Sequence, residues 1–113
     1  MEARATQKYI RVSPQKARLV VDLIRGKNAG EALSILTYTK KRVTEAVEKV
    51  LRSAIANAEQ KAEHLDVDQL VVSKAYVNEG PRSKRIRPAP MGRAYRYQRR
   101  MSHITVVVES PEA

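Results

Sequence analysis

The sequence of 113 residues predicts an α+β fold: three helices packed on a small antiparallel sheet, with a long protruding β-hairpin. Three observations carry this. Apolar residues recur at helical spacing between Pro14 and Ala62. A two-residue period takes over in 70–77 and again in 103–108. Between those two strand-like runs stands GPRSKRIRPAPMGRAYRYQRR, residues 80–100, with eight Arg or Lys and no Asp or Glu. Strands so placed are most simply paired antiparallel, which makes the basic segment the connection between them.

Ala5 to Val12 mixes the β-formers Thr6, Tyr9, Ile10 and Val12 with Lys8 and Arg11, and predicts a strand. Ser13-Pro14 then signals a helix start, because Ser caps and the ring of Pro suits the first helical position. Ala17, Val20, Val21 and Ile24 form the apolar stripe of this first helix, Leu19 and Leu23 broaden it, and Gly26 ends it. Asn28 and Glu31 have the spacing of a capping box, opening a short helix with Ala32, Leu33, Ile35 and Leu36 inward. The third helix has the clearest stripe: Val43, Ala46, Val47, Val50, Leu51, Ala54, Ile55, Ala58 and Ala62. Glu45 with Lys49 and Glu48 with Arg52 are spaced to pair on its wet side. After an acidic turn around Asp66 and Asp68, Leu70, Val72, Lys74 and Tyr76 alternate with Val71, Ser73, Ala75 and Val77. Ile104, Val106 and Val108 alternate with His103, Thr105 and Val107 in the last strand.

One domain spanning 1–113 is expected, with a globular body of 1–79 and 101–113 and an extended hairpin of 80–100. The absence of Cys favours a reducing, cytoplasmic setting, and no apolar run has the length of a membrane span or a signal segment. The net charge of +10 is localised: +5 in residues 1–27, −1 in 28–79, +8 in 80–100 and −2 in 101–113. A neutral middle flanked by basic regions points to an anionic partner rather than to a solubilising coat.

A connection of more than about 12–15 residues is usually functional or disordered, so a solvated flexible loop is the plain alternative for 80–100. Against it, β-compatible residues stand beside bases in both arms, in Arg85-Ile86-Arg87 and Tyr95-Arg96-Tyr97, while Pro88, Pro90 and Gly92 cluster where a tip would turn. Most of the bases are Arg, whose planar fork suits phosphates. Nucleic acid is the natural partner. Tyr95 and Tyr97 either stack on unpaired bases or pack on the hairpin itself. Lys8, Arg11, Lys16 and Arg18 form a candidate second patch on the body, with a merely solvated face as the alternative.

Other chemistries find little support. His64 beside Asp66 and Asp68 sits in a predicted turn, where acids are common without a metal, and His103 at a strand start fits packing or an RNA contact better than catalysis. No phosphate-cradling glycine loop or nucleophile elbow occurs, so neither an enzyme nor a cofactor is expected. A membrane surface would attract the polybasic segment, but no amphipathic helix or lipid anchor motif accompanies it.

YIRVSPQKARLVVDLIRGK, ANAEQKAE and AYVNEGPRSKRIRPAPMGRAYRYQRRMSHITVVV together resemble the bacterial large-subunit ribosomal protein L-twenty-two family, in order and over nearly the whole chain. The Ser-Pro-x-Lys helix start, Gly92-Arg93 and His103 to Val106 are its most specific parts. The resemblance implies a non-enzymatic cytoplasmic protein of the ribosome, monomeric when free. Its body would lie near the tunnel exit, and its hairpin would run through ribosomal RNA toward ribosomal protein L-four and the nascent peptide. Carried onto this chain, the RNA-facing cations are Arg82, Lys84, Arg85, Arg87, Arg93, Arg96, Arg99 and Arg100, joined by Tyr95, Tyr97 and His103. The tunnel tip would be Arg87, Pro88, Ala89, Pro90, Met91 and Gly92, where this chain lacks a basic residue that family members commonly carry. A free-standing RNA- or DNA-binding module using the same loop is the rival reading.

Overall fold

The computed structural model describes residues 2–39, 42–61, 67–80, 83–88, 94–99 and 101–110. Strand β1 (Glu2–Ile10) leads into helices α1 (Pro14–Ile24), α2 (Ala29–Tyr38) and α3 (Thr44–Lys61). A 3-10 turn, Val67–Gln69, precedes β2 (Val71–Glu79), β3 (Ser83–Pro88), β4 (Ala94–Arg99) and β5 (Ser102–Glu109). The expected fold class is the one observed. The helix starts follow the sequence signals. Ser13 Oγ accepts from Lys16 N at 3.3 Å, with Pro14 opening α1; Asn28 caps α2 as expected, but its Oδ1 accepts from Gly30 N at 2.9 Å and not from Glu31 N, so the cap is not the predicted capping box. Gly26 closes α1 at φ 81°, a conformation that a side chain would strain, and its N–H then bonds to Val72 O at 2.9 Å.

The body sheet has the order β1-β5-β2, both pairings antiparallel, so the last strand in the chain is the central one. The first strand starts and ends earlier than the predicted 5–12, because Ile10 to Val12 closes into a turn through Val12 N to Ile10 O at 2.8 Å. In β2 the predicted strict alternation breaks. The register shifts between Val72 and Lys74, and Val72, Ala75 and Val77 all face the core while Lys74 and Tyr76 face out. One inserted residue in a strand changes the phase of everything after it, and no periodicity count anticipates it.

Helices cover one face of the sheet, α3 lying across β1 and β5 and α1 across β2. Ala3, Val72, Ala75, Val77, Ile104, Val106 and Val108 meet Val20, Val21 and Ile24 of α1, and Val47, Val50, Leu51, Ala54 and Ala58 of α3, in one cluster. The Ala positions of α3 let that helix approach the sheet closely. Leu19 and Leu23 do not broaden the α1 stripe; they are 55% and 43% exposed, because a two-layer stack covers only one side of the helix. Leu33 and Ile35 of α2 are only partly buried. Of the two predicted pairs on α3, Glu48–Arg52 closes at 2.9 Å, whereas Glu45 and Lys49 are not paired. Ala62, and the turn residues His64 and Asp66, lie outside the described residues.

Both sheet edges are covered by donors from the helices and their connections. On β2, Leu70 O accepts from Ala29 N at 2.8 Å, and Val72 exchanges bonds with Gly26 and Lys27. Farther along, Ala75 O accepts from Arg25 Nε and Nη2 at 3.1 and 2.6 Å, and Val77 O from Arg18 Nη2 at 3.0 Å. On β1, Glu2 O accepts from Lys61 Nζ and Arg4 O from Asn57 Nδ2, both at 2.9 Å. An edge with its carbonyls so engaged is a poor template for another strand.

Two outcomes follow. Arg25→Ala, which removes both bonds to Ala75 O, should lower unfolding free energy by about 1–2 kcal/mol, whereas Asp22→Ala, which removes only the exposed Asp22–Arg25 pair, should change it by less than about 0.5 kcal/mol. Chemical denaturation checks both; equal effects would make the edge bonds irrelevant. The described core lies within residues 3–77 and 104–108. Replacing 82–99 by a short turn should therefore preserve a cooperative transition and helical circular dichroism, and loss of helix would show that the basic segment is part of the core.

Candidate nucleic-acid interface

Beyond Glu79 and Ser102 the two arms of the β2/β5 pair continue as a second ladder, with β3 antiparallel to β4 from Ser83↔Arg99 to Pro88↔Ala94. Gly80 N donates to Met101 O at 2.8 Å at the junction. The register changes by one residue between the last pair of one ladder, Glu79↔Ser102, and the first of the next, Ser83↔Arg99. The chain reaches 66 Å along its longest axis against 25 and 16 Å across, and its radius of gyration of 17.3 Å exceeds the roughly 13 Å of a compact chain this long. The register sets Arg85 opposite Tyr97, Arg87 opposite Tyr95, Ile86 opposite Arg96, Lys84 opposite Gln98 and Ser83 opposite Arg99. Tyr95 and Tyr97 thus stand two apart on one extended strand. Arg82, Arg93, Arg100 and the tip positions Ala89, Pro90, Met91 and Gly92 lie outside the described residues.

The root of the hairpin is tightly built. Between Gln7↔Ile104 and Ile10↔Ser102, β1 carries Lys8 and Tyr9 against His103 alone. Tyr9 absorbs the extra residue by adopting φ 61°, a left-handed conformation that costs a non-glycine residue about 1–2 kcal/mol. Its N–H donates to His103 Nδ1 at 3.1 Å, and the two rings meet edge to face with centroids 5.0 Å apart. A ring nitrogen that accepts from an amide carries no proton, so in the neutral ring the proton sits on Nε2, where it can be donated to a partner. Gly80 lies against the same group. A Cβ there would come within 3.1 Å of Met101 O and 3.2 Å of His103 Cε1.

On the body, the four cations singled out by sequence separate. Lys8 is exposed at the β1 bulge. Arg18 turns to the edge of β2, where it holds Val77 O. Arg11 and Lys16 line a cavity of about 530 Å³ together with Val12, Ser13, Leu19, Arg42 and Val43. Arg11 is held at its rim by the turn at Ile10–Val12, whose Val12 O also accepts from the buried Ser102 Oγ at 2.6 Å. Arg42 was not foreseen from sequence. It precedes α3, some thirty residues after Arg11 and Lys16, and only the packing of α3 beside α1 unites them.

A family model described as Ribosomal protein L22p/L17e matches residues 5–109. The large ribosomal subunit protein uL22 of Solibacter usitatus (strain Ellin6076) is 66% identical over 113 residues, the full length of both chains. That of Oceanobacillus iheyensis (strain DSM 14371 / CIP 107618 / JCM 11309 / KCTC 3954 / HTE831) is 57% identical over 108 residues, covering 96% of this chain and 95% of the relative. Fold, charge and these matches define a ribosomal protein, a structural class and not an enzymatic one. The chain belongs to the ribosomal protein L22p/L17e family.

Gly80→Ala tests the root. The added methyl has backbone on one side and the His103 ring on the other, so one of them must shift. A loss of about 1 kcal/mol is expected, read as a fall of roughly 4 °C in Tm, together with changed His103 ring resonances. Unaltered stability and resonances would show that the junction has room.

Proposed function

We propose that the protein is a structural constituent of the large ribosomal subunit, working in the ribosome in the cytoplasm. It binds large-subunit ribosomal RNA through its basic hairpin and through cations of the body, and the far end of the hairpin helps line the peptide exit tunnel. Family membership and the names of both relatives support this reading. The observation that carries it furthest is the antiparallel ribbon of β3 and β4, an elongated extension with no acidic residue in 80–100.

The mechanism is charge neutralisation combined with shape. Eight cations within residues 80–100 let the segment pass between RNA strands that repel one another, and each phosphate met releases condensed counterions. Arg85 stands opposite Tyr97 and Arg87 opposite Tyr95 in the register, so a cation and a ring that can stack are offered side by side at two successive levels of the ribbon. His103 Nε2 and the exposed Lys8 extend the contact to the root of the hairpin. Arg87 to Gly92 form the tunnel tip, near ribosomal protein L-four and the nascent peptide. Residues 1–113 act as one domain, monomeric before assembly, with the body as anchor and 80–100 as the inserted element.

Co-sedimentation tests the assignment. The tagged protein should remain with large subunits through high-salt washing, and recovery only with free RNA or DNA would favour a free-standing binding module instead. For the isolated chain on large-subunit ribosomal RNA, the eight hairpin cations should contribute about −6 to −7 to the slope of log affinity against log salt if all of them meet phosphates. Removing residues 82–99, which hold seven of the eight, should make the slope shallower by about 5 to 6, and an unchanged slope would place the contacts elsewhere.

A further inference from the structure

The cavity between the β1–α1 turn, α1 and the start of α3 has two halves that call for different chemistry. Arg11, Lys16 and Arg42 come from three separate segments and bring three positive charges to it, with no acidic residue among the described residues that line it. Val12, Leu19 and Val43 give it an apolar side, of which Val43 is buried and Leu19 is 55% exposed. A phosphate alone would be served by the cations and would leave the apolar side wet. An apolar ligand would leave the cations without a role. A volume of about 530 Å³ is in the usual range for a small-molecule site.

We infer that this cavity is a subsite for one unstacked nucleotide of RNA. The phosphate sits among Arg11, Lys16 and Arg42, and the base lies on Leu19, Val12 and Val43. Single-stranded loops, bulges and ends present a base in this way, whereas a continuous duplex offers phosphates but keeps its base faces stacked. The inference also accounts for Leu19, an exposed large apolar residue outside the stripe that packs α1 on the sheet. Arg11 is placed in advance, because the Ile10–Val12 turn and the Ser102 bond fix the backbone around it. The subsite rests on the proposed RNA-binding function and adds a base-reading contact on the body, away from the hairpin.

The experiment uses the full chain with two exposed substitutions, Arg42→Ala and Leu19→Ser, whose folding is verified by circular dichroism. On large-subunit ribosomal RNA, Arg42→Ala should weaken binding about threefold to tenfold and make the salt slope shallower by about 1. Leu19→Ser should weaken binding about fivefold to tenfold with the slope unchanged, the signature of a lost base contact. In parallel, adenosine 5′-monophosphate should shift the methyl resonances of Val12, Leu19 and Val43, while inorganic phosphate at the same concentration should not. Wild-type affinity for both variants, equal shifts from phosphate and nucleotide, or occupation of the cavity by an oligoglutamate peptide in preference to the nucleotide would each overturn the subsite. Those failures differ from failure of the RNA-binding function itself, in which the wild-type chain would not bind the RNA at all.

Discussion

A sheet of three strands has two edges, and in this protein the backbone groups along them are bonded by side chains as well as by main chain. Arg18 and Arg25 of α1 reach over β2 to Val77 O and Ala75 O, while Asn57 and Lys61 of α3 reach over β1 to Arg4 O and Glu2 O. The same two helices bury their apolar stripes on the face of the sheet, so each helix is fixed both by packing and by the polar clasp at its flank. The clasps set how far α1 and α3 lie toward the two margins. That spacing in turn defines where the start of α3 comes beside α1, and hence where Arg42 meets Arg11 and Lys16.

Charge in this chain therefore stands in three settings that composition cannot separate. Arg18 lies in the same helix as Lys16, yet one serves the backbone of β2 and the other a cavity rim. The hairpin bases are different again, because they follow one another along the β3/β4 ladder, Lys84, Arg85 and Arg87 on one strand and Arg96 and Arg99 on the other. Backbone ordering costs about 1–2 kcal/mol per residue, and a narrow two-stranded ribbon recovers little of it from apolar contact.

The helices and their caps could be read directly, because Ser13-Pro14, Asn28 and the stripe of α3 act within a few residues of where they stand. So could the long hairpin, from the position of the basic segment between two β-like runs. What escaped the sequence depends on partners far along the chain. The register shift near Ser73 answers to β5, the strained Tyr9 to His103, and the exposure of Leu19 to the two-layer stacking of the described residues. The central position of β5 was equally invisible, since a period of two tells which residues alternate but not how many neighbours a strand has. At the interface, the cationic ribbon was legible as composition, whereas the grouping of Arg42 with Arg11 and Lys16 required the packed helices.

That β5 is both last in the chain and central in the sheet has a consequence for biosynthesis. Until Ser102–Glu109 has been made, β1 and β2 have no common neighbour, and β1 and β5 join residues about a hundred positions apart. A nascent chain lacking these residues holds helices whose apolar stripes have no sheet to meet, followed by a strongly basic tract already free to meet anions. The order of synthesis thus presents the basic tract before the body can fold. A chain truncated before β5 would still carry that charge while lacking the sheet on which its helices pack.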